Sequence, residues 1–272
     1  MIQNVFESQY PDYKVVKYPK AGETNPILKL FVWKVESPSS LQSVTPPPEV
    51  SAWEEYIYTI ADWTESDLLR LLSTFCLNIC SIIVNFSVTW MNRIQNESVI
   101  SECREDGTSW TCVKVFSQEQ KDGWIEIMPP PVYSGSSSNL FIQILPSVQE
   151  ASGLSYPHIA RVDTSVGEDK VFLTQGQMVV TEILAWDQET DLVYFMATEE
   201  EGGSIGSRQM YTVPGDGSGS VTCITCQLPT SRGGVCKMNS INMNWDNSYY
   251  IHTCRGEVCK FGELILNFNS FL

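Results

Sequence analysis

The sequence predicts an all-β chain built as a run of propeller blades, and three observations carry that prediction. First, a turn-then-strand phrase recurs: Asp67 leads Leu68-Leu69-Arg70-Leu71, Asn139 leads Leu140-Phe141-Ile142-Gln143, Asp191 leads Leu192-Val193-Tyr194-Phe195, and Asn247-Ser248 leads Tyr249-Tyr250-Ile251. Second, polar knots such as Thr64-Glu65-Ser66 and Gln188-Glu189-Thr190 precede the phrase, which is hairpin chemistry opening β-branched or aromatic strands. Third, the steps between phrases are 72, 52 and 56 residues. A period of about 50 residues with several strands per unit is that of a propeller, whose blades bury their faces only against one another. The first step exceeds the second by 20 and contains an uncharged apolar run, so the repeat exposes an insertion.

Taken in order, residues 1–35 read as two strands, around Tyr13–Tyr18 and Ile27–Val35, split by the turn Pro19-Lys20-Ala21-Gly22. Residues 36–53 read as a proline-rich loop holding Pro46-Pro47-Pro48, and Tyr56 to Leu71 as two strands joined by a polar turn. Leu71 to Trp90 then runs 20 residues without a charge. That length meets the threshold for a membrane span. Asn78, Asn85, three serines and two threonines interrupt it, however, and no basic cluster flanks it. A span, a buried or interfacial insert, and a gene-model artefact such as translated intron all stay open. The artefact reading rests on the repeat, since cutting about 20 residues restores the step of the neighbouring unit. Residues 88–116 read as a hairpin, and 140–222 alternate as strands with Gly202-Gly203 and Gly215–Gly219 as tight turns. Phe261–Leu272 breaks off after one apolar run and reads as a divergent tail, not a blade ending.

With 272 residues, 43% of them hydrophobic, the chain can build one large all-β domain or two smaller ones. A net charge of −15 excludes a phosphate-backbone partner, so no nucleic acid is expected. Such a charge describes a soluble, self-repelling surface. Neither a cofactor nor a metal ion is implied. Of the nine cysteines, six fall into tight local pairs, Cys103/Cys112, Cys223/Cys226 and Cys236/Cys254, which favours disulfides and an oxidising compartment. Loop entropy would give the three closures roughly 2.7, 1.9 and 3.2 kcal/mol. Asn96-Glu97-Ser98 and Asn85-Phe86-Ser87 are glycosylation sequons that agree with a secretory route. Met1-Ile2-Gln3-Asn4 has neither the basic region nor the apolar core of a signal peptide, so the chain reads as a fragment or as lacking its signal.

At Lys17-Tyr18-Pro19-Lys20-Ala21-Gly22-Glu23-Thr24-Asn25-Pro26 the chain resembles the β-propeller of the dipeptidyl peptidase IV family. That family includes fibroblast activation protein and the inactive dipeptidyl-peptidase-like proteins. The resemblance continues through Val88-Thr89-Trp90-Met91-Asn92-Arg93-Ile94-Gln95-Asn96, Asp122-Gly123-Trp124 and Val221-Thr222-Cys223-Ile224-Thr225-Cys226. It covers roughly 10–70 and 88–255. It implies about four blades of an eight-bladed propeller over residues 1–260, interrupted by an insert at about 69–88 and followed by a divergent tail at 261–272. It carries the family's disulfides onto Cys103–Cys112, Cys223–Cys226 and Cys236–Cys254, and its glycosylated asparagine onto Asn96. Cys76, Cys80 and Cys259 have no counterpart. Residues 1–15 resemble the returning strand of a dimerisation arm. The family joins its propeller to an α/β-hydrolase domain with a Ser-Asp-His triad that releases N-terminal dipeptides. That domain and the glutamate pair gripping the substrate amine are expected to lie outside this chain. The resemblance further implies peptide substrates, a homodimer and cell-surface protein partners for the full-length protein. It implies the extracellular face of the plasma membrane, or secretion, with the anchor outside this chain. A substrate-facing Phe-Arg of the family is replaced near Ile127-Met128, which leans toward the inactive members, as does Ile183-Leu184-Ala185-Trp186-Asp187.

Five further patterns invite chemistry. Gly202-Gly203-Ser204-Ile205-Gly206 fits a nucleophile elbow, but Arg208-Gln209-Met210-Tyr211-Thr212-Val213 after it reads as a strand where the elbow needs a helix. A triad needs a histidine base, and His158 and His252 both read as structural. Trp53-Glu54-Glu55 mimics a carboxylate pair for an ammonium but precedes the wrong strand to be the family's pair and reads as an exposed loop edge, and Glu199-Glu200-Glu201 reads as a solvated hairpin flank. Cys223-x-x-Cys226 could also be a redox couple, or half a zinc site with Cys236 and Cys254. Strand-like flanks disfavour the former, and the 18-residue spacing of the second pair the latter.

Overall fold

The computed structural model describes residues 18–23, 25–34, 41–53, 55–64, 85–134, 137–149, 153–165, 167, 169–199, 206–229, 233–244, 247–256 and 259–268. The expected strand at Tyr13–Tyr18, the Asp67 phrase, Cys76, Cys80, Glu54, Glu200, Glu201 and Gly202-Gly203-Ser204-Ile205 lie at least partly outside them. In chain order the first elements are β1 (Phe31–Trp33), β2 (Leu41–Thr45), the four-residue α1 (Pro48–Ser51) and β3 (Tyr56–Trp63). Next come β4 (Asn85–Asn92), β5 (Glu97–Asp106), β6 (Ser109–Glu119), β7 (Val132–Ser134), β8 (Ser137–Val148), β9 (Ser155–Asp163) and β10 (Asp169–Phe172). The rest are β11 (Met178–Asp187), β12 (Leu192–Glu199), β13 (Arg208–Pro214), β14 (Thr222–Cys223), β15 (Met238–Met243), β16 (Tyr249–Gly256) and β17 (Cys259–Phe268).

Antiparallel meanders divide the strands into blades: β3-β4-β5-β6, β7-β8-β9-β10, β11-β12-β13-β14, and a fourth of β15-β16-β17. The all-β propeller expectation therefore holds. Strand periodicity explains how one chain builds both faces of each blade. On β8, Ile142 and Ile144 face the third blade while Phe141 and Leu145 face the first. On β12, Val193, Phe195 and Ala197 meet the second blade's cluster, whereas Tyr194 and Met196 pack with Tyr250 of the fourth. On β4, Phe86, Val88 and Trp90 pack with Val44, Val50, Trp110 and the Cys103–Cys112 bridge.

At Asp191 and Asn247 the recurring phrase has a backbone cause, whereas Asn139 lies inside β8, which begins at Ser137. Asp191 (φ 52°) and Asn247 (φ 59°) adopt the left-handed conformation just before β12 and β16, which short polar side chains tolerate best. Second strands of successive blades begin at Asn85, Ser137, Leu192 and Tyr249, steps of 52, 55 and 57. Counted this way the first step is not long, and the extra residues fall between β3 and β4. Residues 85–88, which the sequence reading gave to the insert, form the first half of β4, where Phe86 and Val88 are buried. Their cross-strand partners, Trp63 to Ala61 and Cys103 to Ser101, override the apolar run's local ambiguity. Among the described residues no helix is long and apolar enough to cross a membrane.

Three other boundaries move. The loop expected over 36–53 contains β2 and α1: Pro48 opens the helical turn, and β2 finds partners in β1 and, in parallel, β6. Of the described residues in the Ile27–Val35 range, Phe31–Trp33 alone form a strand, β1. The tail expected at 261–272 instead supplies most of β17, which pairs with β16 from Tyr249↔Phe268 to Gly256↔Cys259. Gly215–Gly219 does turn the chain after β13. There the Gly215 amide donates to Asp191 O (2.7 Å) and Trp186 Nε1 donates to Asp191 Oδ1 (2.8 Å). A Cβ on Gly215 would stand 2.3 Å from that Oδ1 and 2.7 Å from the indole nitrogen. Gly215→Ala is expected to cost about 2 kcal/mol by overpacking, read as a lower urea midpoint at unchanged slope.

The β1–β2 pair is tied to the first blade by polar contacts. Gln42, buried, donates to Glu105 Oε1 (2.9 Å) and accepts from Trp110 Nε1 (2.9 Å), and Lys34 pairs with the same carboxylate. The Gln42 amide first, then the Lys34 ammonium, hold the Glu105 pKa below the ordinary range. A depressed folded pKa stabilises above the unfolded value of about 4.3 and loses that contribution as pH falls through the folded one. Acid below about pH 4 should therefore loosen β2. Faster amide exchange at Val44, whose N–H bonds Leu30 O, checks this, and Glu105→Gln should flatten the pH dependence.

Candidate functional site

Four stretches far apart in sequence meet on one rim of the first blade. Asn92, buried at the end of β4, closes the turn into β5. Its Oδ1 accepts the N–H of Asn96 (3.1 Å) and of Glu97 (3.3 Å), and its Nδ2 donates to Asn96 Oδ1 (2.7 Å). Gln95 takes φ 60° to complete the turn. Its carbonyl accepts Ile125 N–H (2.7 Å), and Asn96 O accepts Gln120 N–H (2.8 Å), so the loop holding Asp122-Gly123-Trp124 is docked onto the turn. From the other side, Glu55 Oε2 accepts Asn25 Nδ2 (2.7 Å) and pairs with Arg93 Nε (3.4 Å). Trp53 Nε1 donates to Glu97 Oε2 (3.2 Å).

Two hollows flank Trp53. One of about 410 Å³ is lined by Trp53, Glu55, Asn92, Arg93 and Ile94, and one of about 290 Å³ by Trp53, Glu97–Val99 and Ser117–Glu119. Trp124 is 68% exposed, with Nε1 donating to Glu126 Oε1 (3.1 Å). Indole faces, carboxylates and one guanidinium give this rim the means to bind a polar or cationic group. Of the Trp53-Glu54-Glu55 pattern, Glu55 is already engaged by Arg93 and Asn25. The role of Asn92 and Arg93 was visible in sequence only as part of a matching motif. Arg93 meets Glu55 and Glu55 meets Asn25 across 30 or more residues, beyond any local pattern, whereas Asn92 bonds Asn96 and Glu97 within its own turn.

The six paired cysteines form three disulfides: Cys103–Cys112, Cys223–Cys226 and Cys236–Cys254, with Cα separations of 3.9, 5.8 and 5.8 Å. All four sulfurs of the conceivable zinc set are thereby bonded to one another. Cys103 and Cys112 stand directly opposite on β5 and β6, so register alone brings them together. Asn96 is half-buried at the rim. Asn85 differs, because its Nδ2, the atom a glycan would take, donates to Glu102 Oε1 (2.6 Å).

Both histidines are interior. His158 is fully buried, bridging Thr174 Oγ1 (2.9 Å) and Gly176 O (3.1 Å), and burial pushes its pKa down, favouring the neutral ring. His252, 1% exposed, bonds Asn239 Oδ1. Gly206, the end of the elbow-like pattern, leads into strand β13 rather than a helix. A further polar cluster lies at the seam of the first two blades. Tyr133 donates to Ser87 Oγ (3.2 Å), and its pKa is pushed up to about 12, chiefly by burial and then by the nearby Glu102 carboxylate.

Fold and strand order together define a segment of a β-propeller. The chain matches the family described as the dipeptidyl peptidase IV (DPP IV) N-terminal region over residues 2–259, and it belongs to that family. It is 29% identical to an inactive dipeptidyl peptidase 10 of Rattus norvegicus over 223 residues, 80% of this chain and 25% of the relative. It is 26% identical to a venom dipeptidyl peptidase 4 of Vespula vulgaris over 250 residues, 91% of this chain and 29% of the relative. It is 28% identical to a prolyl endopeptidase FAP of Bos taurus over 256 residues, 91% of this chain and 30% of the relative. A solved structure assigned as a dipeptidyl aminopeptidase IV from Bacteroides ovatus shares the fold, with TM-score 0.60 at 16% identity over 90% of this chain and 32% of that one. The chain thus spans between a quarter and a third of the length of these relatives, which include both peptidases and an inactive member.

Proposed function

We propose that the chain is the propeller part of a dipeptidyl-peptidase-IV-like serine exopeptidase, serving substrate gating and partner binding, with the catalytic triad carried by residues outside it. The family match over residues 2–259 supports this reading best. The rim adds to it, because the family-like motifs around Asn25, Asn92–Asn96 and Asp122–Trp124 converge there. A Ser-Asp-His triad needs an imidazole oriented by a carboxylate and hydrogen-bonded to the nucleophilic serine. Both histidines of this chain are committed to interior hydrogen bonds, so the cutting chemistry is assigned elsewhere. Purified chain incubated with a glycyl-prolyl reporter should give no turnover; hydrolysis abolished by a serine-directed inhibitor would contradict the proposal.

A second reading, a non-catalytic cell-surface auxiliary protein, draws on the similarity to inactive dipeptidyl peptidase 10 and on Ile127-Met128 near the family's Phe-Arg position. Genomic sequence downstream of Leu272 separates the two. A Gly-Trp-Ser-Tyr-Gly-Gly-like elbow there favours the enzyme, and a substituted serine favours the auxiliary protein. For the full-length protein we further propose an extracellular or secreted location, peptide substrates and a homodimer, with a glycan on Asn96. A glycosidase-sensitive mass on the peptide containing Asn96 checks the last point, and Asn85, its amide engaged, should carry none. The residues between β3 and β4 are proposed as an insert foreign to the blade, which a transcript spanning codons 68–90 would test.

A further inference from the structure

We infer that Cys223–Cys226 is a thiol-sensitive latch whose reduction loosens the seam between the third and fourth blades while the other two disulfides stay closed. Accessibility separates the three bridges. Cys103 (0%), Cys112 (2%), Cys236 (1%) and Cys254 (3%) are buried, whereas Cys223 and Cys226 are both partly exposed. Thiol–disulfide exchange requires a thiolate to reach a sulfur along the S–S axis, so access ranks Cys223–Cys226 first.

Closing that four-residue ring fixes Thr225, which lies inside it and is 0% exposed. The Thr225 hydroxyl donates to Gln209 Oε1 (2.6 Å) and accepts the N–H of Met210 (2.9 Å). Gln209 Oε1 also accepts Asn239 Nδ2 (2.7 Å), while Gln209 Nε2 donates to Cys236 O (2.9 Å). Asn239 Nδ2 donates as well to Arg208 O (2.8 Å), and Asn239 Oδ1 accepts from His252 Nε2. This buried chain of amides runs from the partly exposed disulfide on the third blade into β15 and β16 of the fourth. It crosses where the two blades are joined by the parallel pair Arg208↔Met238 and by Arg208 N–H to Lys237 O (2.7 Å). Buried polar networks are strong when every member is satisfied and costly when one partner leaves. Releasing Thr225 therefore withdraws a donor from Gln209 and, through it, support from Asn239.

The reductant is a dithiol. One thiolate attacks a sulfur of the Cys223–Cys226 bond, which breaks as a mixed disulfide forms and the other cysteine leaves as thiolate. The second thiol of the dithiol then attacks its partner sulfur in the mixed disulfide, displacing the cysteine still bound there as thiolate and closing the dithiol's own disulfide. Two electrons pass from dithiol to protein, and protons from the two reductant thiols end on Cys223 and Cys226. The pair flanks strand and turn rather than opening a helix, so it is acted upon and does not itself catalyse exchange.

Limited reduction of the full chain with dithiothreitol, trapping with iodoacetamide and peptide mapping tests the latch. Cys223 and Cys226 should be alkylated first, with amide exchange over 238–256 rising about tenfold and that of β8 and β9 unchanged. Alkylation of Cys223 and Cys226 without faster exchange there, or earlier opening of either other bridge, would overturn it. Thr225→Val, with all three disulfides oxidised, should give the same exchange increase and Thr225→Ser should not. Unchanged exchange in the valine variant would sink the role given to the hydroxyl.

Discussion

Phe195→Ala is expected to cost about 4 kcal/mol, the largest loss from any single substitution considered for this chain. Phe195 is 0% exposed and stacks on Tyr211 with ring centroids 5.7 Å apart. It sits among Ile142, Ile144, Ile159, Val193, Ala197 and Val213, the cluster joining the second blade to the third. Truncation removes the transferred surface and leaves a cavity that four flanking strands cannot collapse without breaking register. Total stability of a domain is about 5–15 kcal/mol, so one such cavity consumes a large share of it. Equilibrium urea unfolding followed by tryptophan fluorescence gives the value. Ile251→Ala, at a side chain 42% exposed, should move the midpoint by well under a quarter as much. A loss below about 1 kcal/mol for Phe195→Ala would mean that the two blades do not share this core.

Much of the fold was legible because blades repeat. Asp191 and Asn247 announce their hairpins through backbone conformations that few residues accept; the strand after Asp191 alternates between two buried seams, and the one after Asn247 buries Tyr250, His252 and Cys254 while exposing Tyr249 and Ile251. Local cysteine spacing was equally informative, since cross-strand neighbours such as Cys103 and Cys112 are near in sequence as well as in space. The pieces that escaped depend on distant partners. β2 is short and surrounded by serine and proline, and nothing local reveals that Trp110 and Gln42 will hold it against β6. The apolar stretch 85–88 looked continuous with the run before it, because hydrophobicity cannot say where a strand's pairing begins. β17 was set aside for a related reason: its only described sheet neighbour is β16, so the apolar run had no closing turn or following strand to mark it. The rim around Trp53 was readable only by resemblance, as its contacts Asn25–Glu55–Arg93 and Gln95–Ile125 span up to 38 residues between partners.

Replacing both Cys236 and Cys254 by alanine is expected to cost about 3.2 kcal/mol through the entropy returned to the unfolded chain. The bridge encloses 18 residues of separation, links the approach to β15 with the interior of β16, and is buried at both ends. Loop length alone then orders the three bridges: about 3.2 for this pair, 2.7 for Cys103–Cys112 and 1.9 for Cys223–Cys226. Global unfolding of the three double-alanine variants, measured in urea under one buffer, checks the order as well as the sizes. Burial adds to the cost of losing Cys103–Cys112, whose sulfurs belong to the cluster of Phe86, Val88 and Trp90, and Cys236 and Cys254 are buried as well. Cys223–Cys226 is the revealing contrast. Its global contribution should be the smallest of the three, while its opening should produce a local loosening of β15 and β16 through Thr225 and Asn239. A bridge that matters little to the whole and much to one seam is what a separable contact between blades requires. Should the Cys223/Cys226 variant instead lose the most stability, the ring would be holding the third blade itself, and the order derived from loop entropy would fail.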